Sequence, residues 1–229
     1  MTKRLRSFFP PTSAMRLFGC LLLICCLWTC KEENIDGFSA GTPAKFDPNM
    51  NAGRSSWQKP SAIIDKLGDL SEKVVADIGA GSGFFSFRIA MKAAKVIAID
   101  IDKDMIDLIN LQKMNMPGEI NSKIETRLVK PQDPALKKYE VDIVVIVNTI
   151  TYITNRQAYL KKIYDLLPQG GKLMIVDFKT KNLPIDAPPI SERIAEDKIV
   201  QDLHEAGFNE VDEDNVTLEY QYIIIAEKK

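Results

Sequence analysis

The sequence predicts an α/β fold: a doubly wound, seven-stranded sheet, mostly parallel, with one antiparallel strand near the C-terminus. Three observations carry this. The run VVADIGAGSG, Val74 to Gly83, ends an apolar stretch in an acid and then sets glycines at 79, 81 and 83. A second apolar run, VIAID, ends in Asp100, nineteen residues beyond Gly81. Strand-like runs then alternate with helix-period segments until two strand-like runs follow each other at the end. Alternation implies parallel strands joined by crossover helices, and two successive strands imply a closing hairpin.

The elements follow in order. Trp57 to Leu67 reads as a helix, with Pro60 near its first turn. Lys73 to Ile78 is a continuous apolar run rich in β-branched residues, as in a strand covered on both faces. Gly83 to Lys92 is a helix with Phe84, Phe85, Phe87 and Ile89 inward. Lys95 to Ile99 is the second strand. Asp102 N-caps a helix reaching about Asn115, which Pro117-Gly118 breaks. Ile124 to Val129 and Val141 to Val147 are the third and fourth strands. Asn155 to Leu167 is a helix closed by Pro168-Gln169-Gly170-Gly171, and Lys172 to Asp177 is the fifth strand. Ser191 to Ala206 is a helix capped by Ser191 and stopped by Gly207. Glu210 to Leu218 and Tyr220 to Glu227 form the hairpin.

Composition removes several function classes. Thirty basic and 31 acidic side chains give a net charge of −1, so no basic surface for nucleic acid is expected. The four cysteines, Cys20, Cys25, Cys26 and Cys30, all precede the domain, and His204 is the one histidine. No disulfide framework, thiol nucleophile or metal site is therefore expected in the domain. His204 sits near a helix end, where a surface role suits it.

The N-terminus reads as an address. Leu17 to Trp28 is apolar, follows Arg16, Lys3, Arg4 and Arg6, and is shorter than the ~20 residues of a spanning helix. Residues 1–29 thus read as a secretory signal, with Met15 as an alternative start. Leu27-Trp28-Thr29-Cys30 resembles a bacterial lipobox, which implies lipidation of Cys30 and attachment to a membrane. Lys31-Glu32-Glu33 is similar to the export tag of some surface lipoproteins. An uncleaved N-terminal anchor is the alternative. Either one sends the domain outward, into the cell envelope; a cytoplasmic location is the competing expectation. Residues 30–53 read as a linker and 54–229 as the domain.

The chemistry lies at the glycine turn. Glycines between a strand and a helix remove Cβ atoms so that a ligand can approach backbone N–H groups. Asp77, Gly79, Gly81 and Gly83 occupy that turn, and Asp100, ending the second strand, can accept from ribose hydroxyls. These are the parts of a nucleoside-cofactor site. The spacing G-x-G-x-G departs from the dinucleotide fingerprint, which disfavours a nicotinamide dehydrogenase.

The turn resembles motif I of class I S-adenosylmethionine-dependent methyltransferases. IDIDKDMI (Ile99 to Ile106) and LLPQGGKLMIVDF (Leu166 to Phe178) are similar to later motifs of that family, and the closing hairpin is similar to its reversed strand. Trp57-Gln58-Lys59-Pro60, QDPAL (Gln132 to Leu136), VNT (Val147 to Thr149), DFK (Asp177 to Lys179) and LPIDAPP (Leu183 to Pro189) resemble one bacterial subgroup. The resemblance implies S-adenosylmethionine as cofactor and a small molecule as methyl acceptor. It places Gly79 and Gly81 against the methionine part, and Asp77 at the turn or the ammonium. It places Asp100 on the ribose and Ile101 on the adenine.

The loop Lys130 to Pro134 would flank the adenine. Lys130 stands where many relatives carry an acid, so Gln132, Asp133 or a backbone carbonyl must serve instead. Asn148, with Thr149, would face both cofactor and methyl transfer. Two histidines usual in the subgroup are replaced by Thr151 and Tyr152, leaving Tyr152, Asp177 and Lys179 as candidates for orienting or deprotonating an acceptor. Methyl transfer can instead rest on in-line positioning, worth up to ~7–11 kcal/mol. An envelope lipoprotein keeping the fold and cofactor binding without turnover is the competing expectation. Trp57 reads as core anchor or ligand lid, Asp177 as strand cap or functional group, and the prolines of Leu183 to Pro189 as connector or pocket rim.

Overall fold

A computed structural model describes Asn51 and residues 53–229. The expected signal segment, the Cys30 lipidation site and nearly all of the linker lie outside the described residues. Seven strands form one sheet: β1 (Val74–Ile78), β2 (Lys95–Asp100), β3 (Ile124–Leu128), β4 (Ile143–Val147), β5 (Lys172–Phe178), β6 (Glu210–Asp214) and β7 (Gln221–Glu227). Their order is β3-β2-β1-β4-β5-β7-β6. β7 runs antiparallel to β5 and β6, and the pairs among β1 to β5 are parallel. The chain winds outward from β1 in one direction and from β4 in the other. That reversal opens a crevice at the strand carboxyl ends, where ligands bind in such sheets.

Alternation along the strands divides the core. Val75, Val96, Val145 and Val176 face one layer, packed with residues of α2 (Pro60–Asp65), α3 (Phe84–Ala90) and α4 (Lys103–Lys113). Ala76, Ile97, Ile146 and Ile175 face the other, with α6 (Arg156–Leu166) and α7 (Glu196–Ala206). Both faces are covered, so the strands read as unbroken apolar runs rather than alternating ones. Asp102 caps α4 as expected, accepting from Asp104 N at 2.8 Å.

Three elements differ from the sequence reading. The expected Trp57 to Leu67 helix is two, α1 (Arg54–Gln58) and α2, broken at Lys59 with φ 50°. Pro60 disfavours helical geometry in the residue before it and can only begin a new helix. Pro117-Gly118 does end α4, but a short helix, α5 (Gly118–Lys123), follows it at once. Ser191 caps nothing: it lies in a 3-10 turn, Ile190–Glu192, and α7 begins at Glu196. Arg193 separates the two, donating to the carbonyls of Pro188, Lys179 and Lys181, so a tertiary contact overrides the helical period. Among the described residues no helix is long and apolar enough to cross a membrane.

Candidate cofactor and acceptor site

The carboxyl ends of β1 and β4 open on a cavity of about 290 Å³. Its floor is the glycine turn, held to β2 because Gly79 N and Ala80 N both donate to Ile99 O, at 2.8 and 3.0 Å. Gly79 has φ +74°, and a Cβ there would stand 2.2 Å from Thr149 Oγ1. Only glycine lets the end of β4 approach this closely. Around Gly81 the space is open: a Cβ would meet nothing within 4 Å.

Two carboxylates bracket the turn. Asp100 accepts from Gly81 N at 2.7 Å and from Asp102 N at 2.9 Å. A carboxylate offers about four acceptor positions, so capacity remains for a ligand hydroxyl. Burial raises the Asp100 pKa, and the N–H bonds from Asp102 and Gly81 oppose it. Asp77, 2% exposed, lines the cavity and accepts from Ser86 Oγ at 2.6 Å. Burial pushes its pKa up to about 6; the Ser86 bond works against the rise and Asp100 with it.

One wall is aromatic. Trp57 packs against Phe178, ring centroids 6.0 Å apart, and against Tyr220 at 6.4 Å. It is thus both an anchor and a cavity wall. Asp186 lines the rim, so LPIDAPP borders the site, clasped beneath by Arg193. The lining also carries Arg54, from the same short helix as Trp57, with its guanidinium 4.3 Å from the Phe84 ring centroid. Among the described residues the ion-paired arginines are Arg127 and Arg156; Arg54 has no ion-pair partner. Burial lowers its pKa to about 10.

A chain of amides runs behind the cavity. Arg54 Nε donates to Gln58 Oε1 at 2.5 Å, and Gln58 Nε2 to Gln221 Oε1 at 2.8 Å. Gln221 Nε2 then donates to Asn148 Oδ1 at 2.5 Å. Gln58 and Gln221 are fully buried, whereas Asn148 lines the cavity with φ 55°. Asparagine tolerates this left-handed geometry better than most residues.

Residues 76–173 match the model of a methyltransferase domain family. A solved S-adenosylmethionine-dependent methyltransferase from Aquifex aeolicus superposes with a TM-score of 0.69 at 21% identity, over 80% of this chain and 98% of that one. The fold is the class I methyltransferase fold. Among curated proteins, a ubiquinone biosynthesis O-methyltransferase from Aeromonas salmonicida is 25% identical over 57% of this chain. A magnesium-protoporphyrin O-methyltransferase from Rhodobacter capsulatus is 32% identical over 48% of it. The chain spans about half the length of these curated relatives, 52% and 46% respectively.

The methyltransferase fold brings some expected residues together and separates others. Asp77, Gly79, Gly81, Asn148 and Thr149 line the cavity, and Asp100 adjoins it through Gly81. Ile101 is 42% exposed beyond Asp100, free to cover a flat ring. Gln132 and Asp133 lie outside the cavity lining. Gln132 has φ 68° and reaches Thr154 Oγ1 at 3.4 Å; Asp133 holds Ala135 N and pairs with Lys162 at 2.7 Å. The catalytic candidates Tyr152 and Asp177 also fall outside it. Tyr152 ends a 3-10 turn, 38% exposed, and burial together with Asp177 raises its pKa. Asp177 points to the opposite sheet face from Phe178, because neighbours on a strand alternate. Lys179 donates to the carbonyls of Asn215, Leu218 and Glu219, a structural clasp. His204 is exposed in the last turn of α7 and meets Phe208 O.

Sequence reasoning missed Arg54, Gln58 and Gln221. Arg54 stands at the expected boundary between the linker, 30–53, and the domain. A four-residue spacing puts Arg54 and Gln58 on one helix face, which was the available signal.

Proposed function

We propose that this chain binds S-adenosylmethionine and transfers its methyl group to a small-molecule acceptor. The observation that carries this reading is the cavity at the strand-order reversal, floored by a glycine turn that Gly81 N–H links to Asp100. The residues fit the cofactor. Asp100 retains acceptor positions for ribose hydroxyls, Ile101 offers an apolar surface to the adenine, and Asp77 stands where an ammonium would be held. When bound, the cofactor supplies a sulfonium methyl whose loss leaves a neutral thioether. The protein's part is to orient the acceptor between Trp57, Phe178 and Asn148 and to keep water out. Two carboxylates line the cavity, Asp77 and Asp186; the cofactor's ammonium would occupy Asp77, which leaves Asp186 at the rim as the lining group able to take a proton.

The test is binding by the full-length chain. At a hundredfold excess over the dissociation constant, S-adenosylhomocysteine should stabilise the domain by ~2.7 kcal/mol, read as a thermal shift. No shift with either form of the cofactor would sink the reading, and a shift with a nicotinamide dinucleotide instead would redirect it to a dehydrogenase. We further propose, from the N-terminal sequence, that Cys30 is lipidated and holds the domain in the cell envelope. Mass spectrometry of the membrane-extracted protein tests this; an unmodified Cys30 behind an intact signal segment would count against it. Cofactor binding without a methylated product from any small-molecule acceptor would favour a retained scaffold over an enzyme.

A further inference from the structure

The amide chain behind the cavity has a direction, and chemistry fixes that direction without ambiguity. Arginine has only donors, so the Gln58 atom 2.5 Å from Arg54 Nε must be the carbonyl oxygen. The other end of Gln58 is therefore the NH2 group, and it faces Gln221 at 2.8 Å. That contact must meet the Gln221 oxygen, so the Gln221 NH2 group faces Asn148. The Asn148 atom it meets must in turn be Oδ1, which Gln58 Nε2 also approaches at 3.4 Å. The polarity set at Arg54 passes through two fully buried glutamines and leaves the Asn148 NH2 group on the cavity side. No protein acceptor takes Asn148 Nδ2 among the described residues.

We infer that Arg54, Gln58 and Gln221 lock Asn148 as a hydrogen-bond donor to the acceptor molecule, and so select an oxygen nucleophile over an amine. This inference rests on the methyltransferase reading and adds the class of atom methylated. An oxygen nucleophile has at least two lone pairs. One can accept from Asn148 Nδ2 while another attacks. A neutral amine has a single lone pair, and a hydrogen bond from Asn148 would tie up the electrons needed for attack. Its N–H groups would also face a donor, leaving polar groups unpaired at a desolvated site. The transfer balances without a further reactant: the acceptor oxygen forms the O–CH3 bond, the C–S bond breaks with its electron pair left on sulfur, and the hydroxyl proton leaves by the rim, where the Asp186 carboxylate can take it on to bulk water. Gln58 and Gln221 act through Asn148 and are positioning residues.

The test uses the full-length chain saturated with S-adenosylhomocysteine and two flat probes of nearly equal shape. At a pH where the phenol is ionised, 4-nitrophenolate only accepts at its oxygen, while the amino group of 4-nitroaniline mainly donates. The wild type should bind the phenolate at least ~10-fold tighter, from the Asn148 donor and the Arg54 charge together; Gln221→Leu, which leaves Arg54 in place, separates the two. Asn148→Asp, which turns a donor into an acceptor, should reverse the order. Gln221→Leu leaves the Asn148 amide free to turn and should reduce the ratio severalfold. A structural role alone would weaken both probes together. Equal or tighter binding of 4-nitroaniline by the wild type, or a ratio that neither variant changes, overturns the inference. Failure of S-adenosylhomocysteine to bind in the same samples would instead remove the methyltransferase reading beneath it.

Discussion

Two clefts of the same size, about 290 Å³ each, open at opposite ends of the sheet. The one at the strand amino ends is lined by Lys73, Asp142, Gly170 and Lys172, among others. Several of its backbone and carboxylate groups are taken up by the fold. Asp142 accepts from Val74 N at 2.8 Å, Gly170 N donates to Lys228 O at 2.7 Å, and Lys172 N donates to Asp142 O at 3.0 Å. The cleft at the carboxyl ends is left unfinished. Among the described residues Arg54 has no ion-pair partner and Asn148 Nδ2 no acceptor, Asn148 holds a left-handed backbone, and Asp100 has acceptor capacity left. Volume is equal, so what distinguishes the carboxyl-end cleft is its set of buried or half-buried groups, Asp77, Asp100 and Asn148, around a glycine turn open to a ligand.

The largest effect should come from a matched pair of glycines. Gly79 and Gly170 share a φ of +74°. Alanine at either carries the left-handed penalty, about 1–2 kcal/mol. At Gly79 it also drives a Cβ into Thr149, an overpacking cost of about 1–3 kcal/mol more; at Gly170 nothing lies within 4 Å. Urea denaturation should therefore show Gly79→Ala losing about twice as much stability as Gly170→Ala, with cofactor binding abolished only in the former. Equal losses would mean that the β4 end yields to the turn.

A second contrast concerns pH. Burial pushes Asp177 up to about 6, as it does Asp77. Asp177 Oδ1 accepts from Phe178 N at 2.7 Å, but its buried Oδ2 has no partner among the described residues. A carboxyl whose folded pKa exceeds its unfolded value stabilises the fold fully below the unfolded value, near 4, and that stability is lost as pH rises through about 6. The shift corresponds to about 3 kcal/mol. Asp177→Asn should remove that slope: relative to the wild type, the variant should gain stability on going from about pH 4 to pH 7. A pH-independent difference would show that the carboxyl is solvated or paired.

Much of this was legible in the sequence because it is local. Buried strands announce themselves as β-branched runs, the turn as spaced glycines, and the α4 cap as Asp102 before a periodic segment. Asp177, strand cap or functional group by sequence, lies outside the cavity lining, and strand parity was the available signal: it shares a face with Leu173 and Ile175, away from Val176 and the α3 layer. The resemblance offered Gln132, Asp133 or a backbone carbonyl for the adenine; the two side chains turn to Thr154 and Lys162. The amide chain was not legible. Gln58 and Gln221 are 163 residues apart, each reads alone as a surface residue, and only the fold makes them a buried pair.

The smallest expected effect is the most specific one. Asp100 and Asp142 both end a carboxylate on backbone N–H groups, one at each end of the sheet. If the carboxyl-end cleft holds the ribose, Asp100→Ala removes a ligand contact as well as its internal bonds. Calorimetry should then show cofactor affinity at least ~10-fold weaker, about 1.4 kcal/mol. Asp142→Ala removes a comparable internal bond and no ligand contact, so it should lower stability alone and leave affinity untouched. Stability loss measured alongside separates the two effects. Equal affinities in Asp100→Ala and the wild type would take the ribose away from Asp100, and a loss in Asp142→Ala would mean that the two ends of the sheet are coupled through β1 and β4.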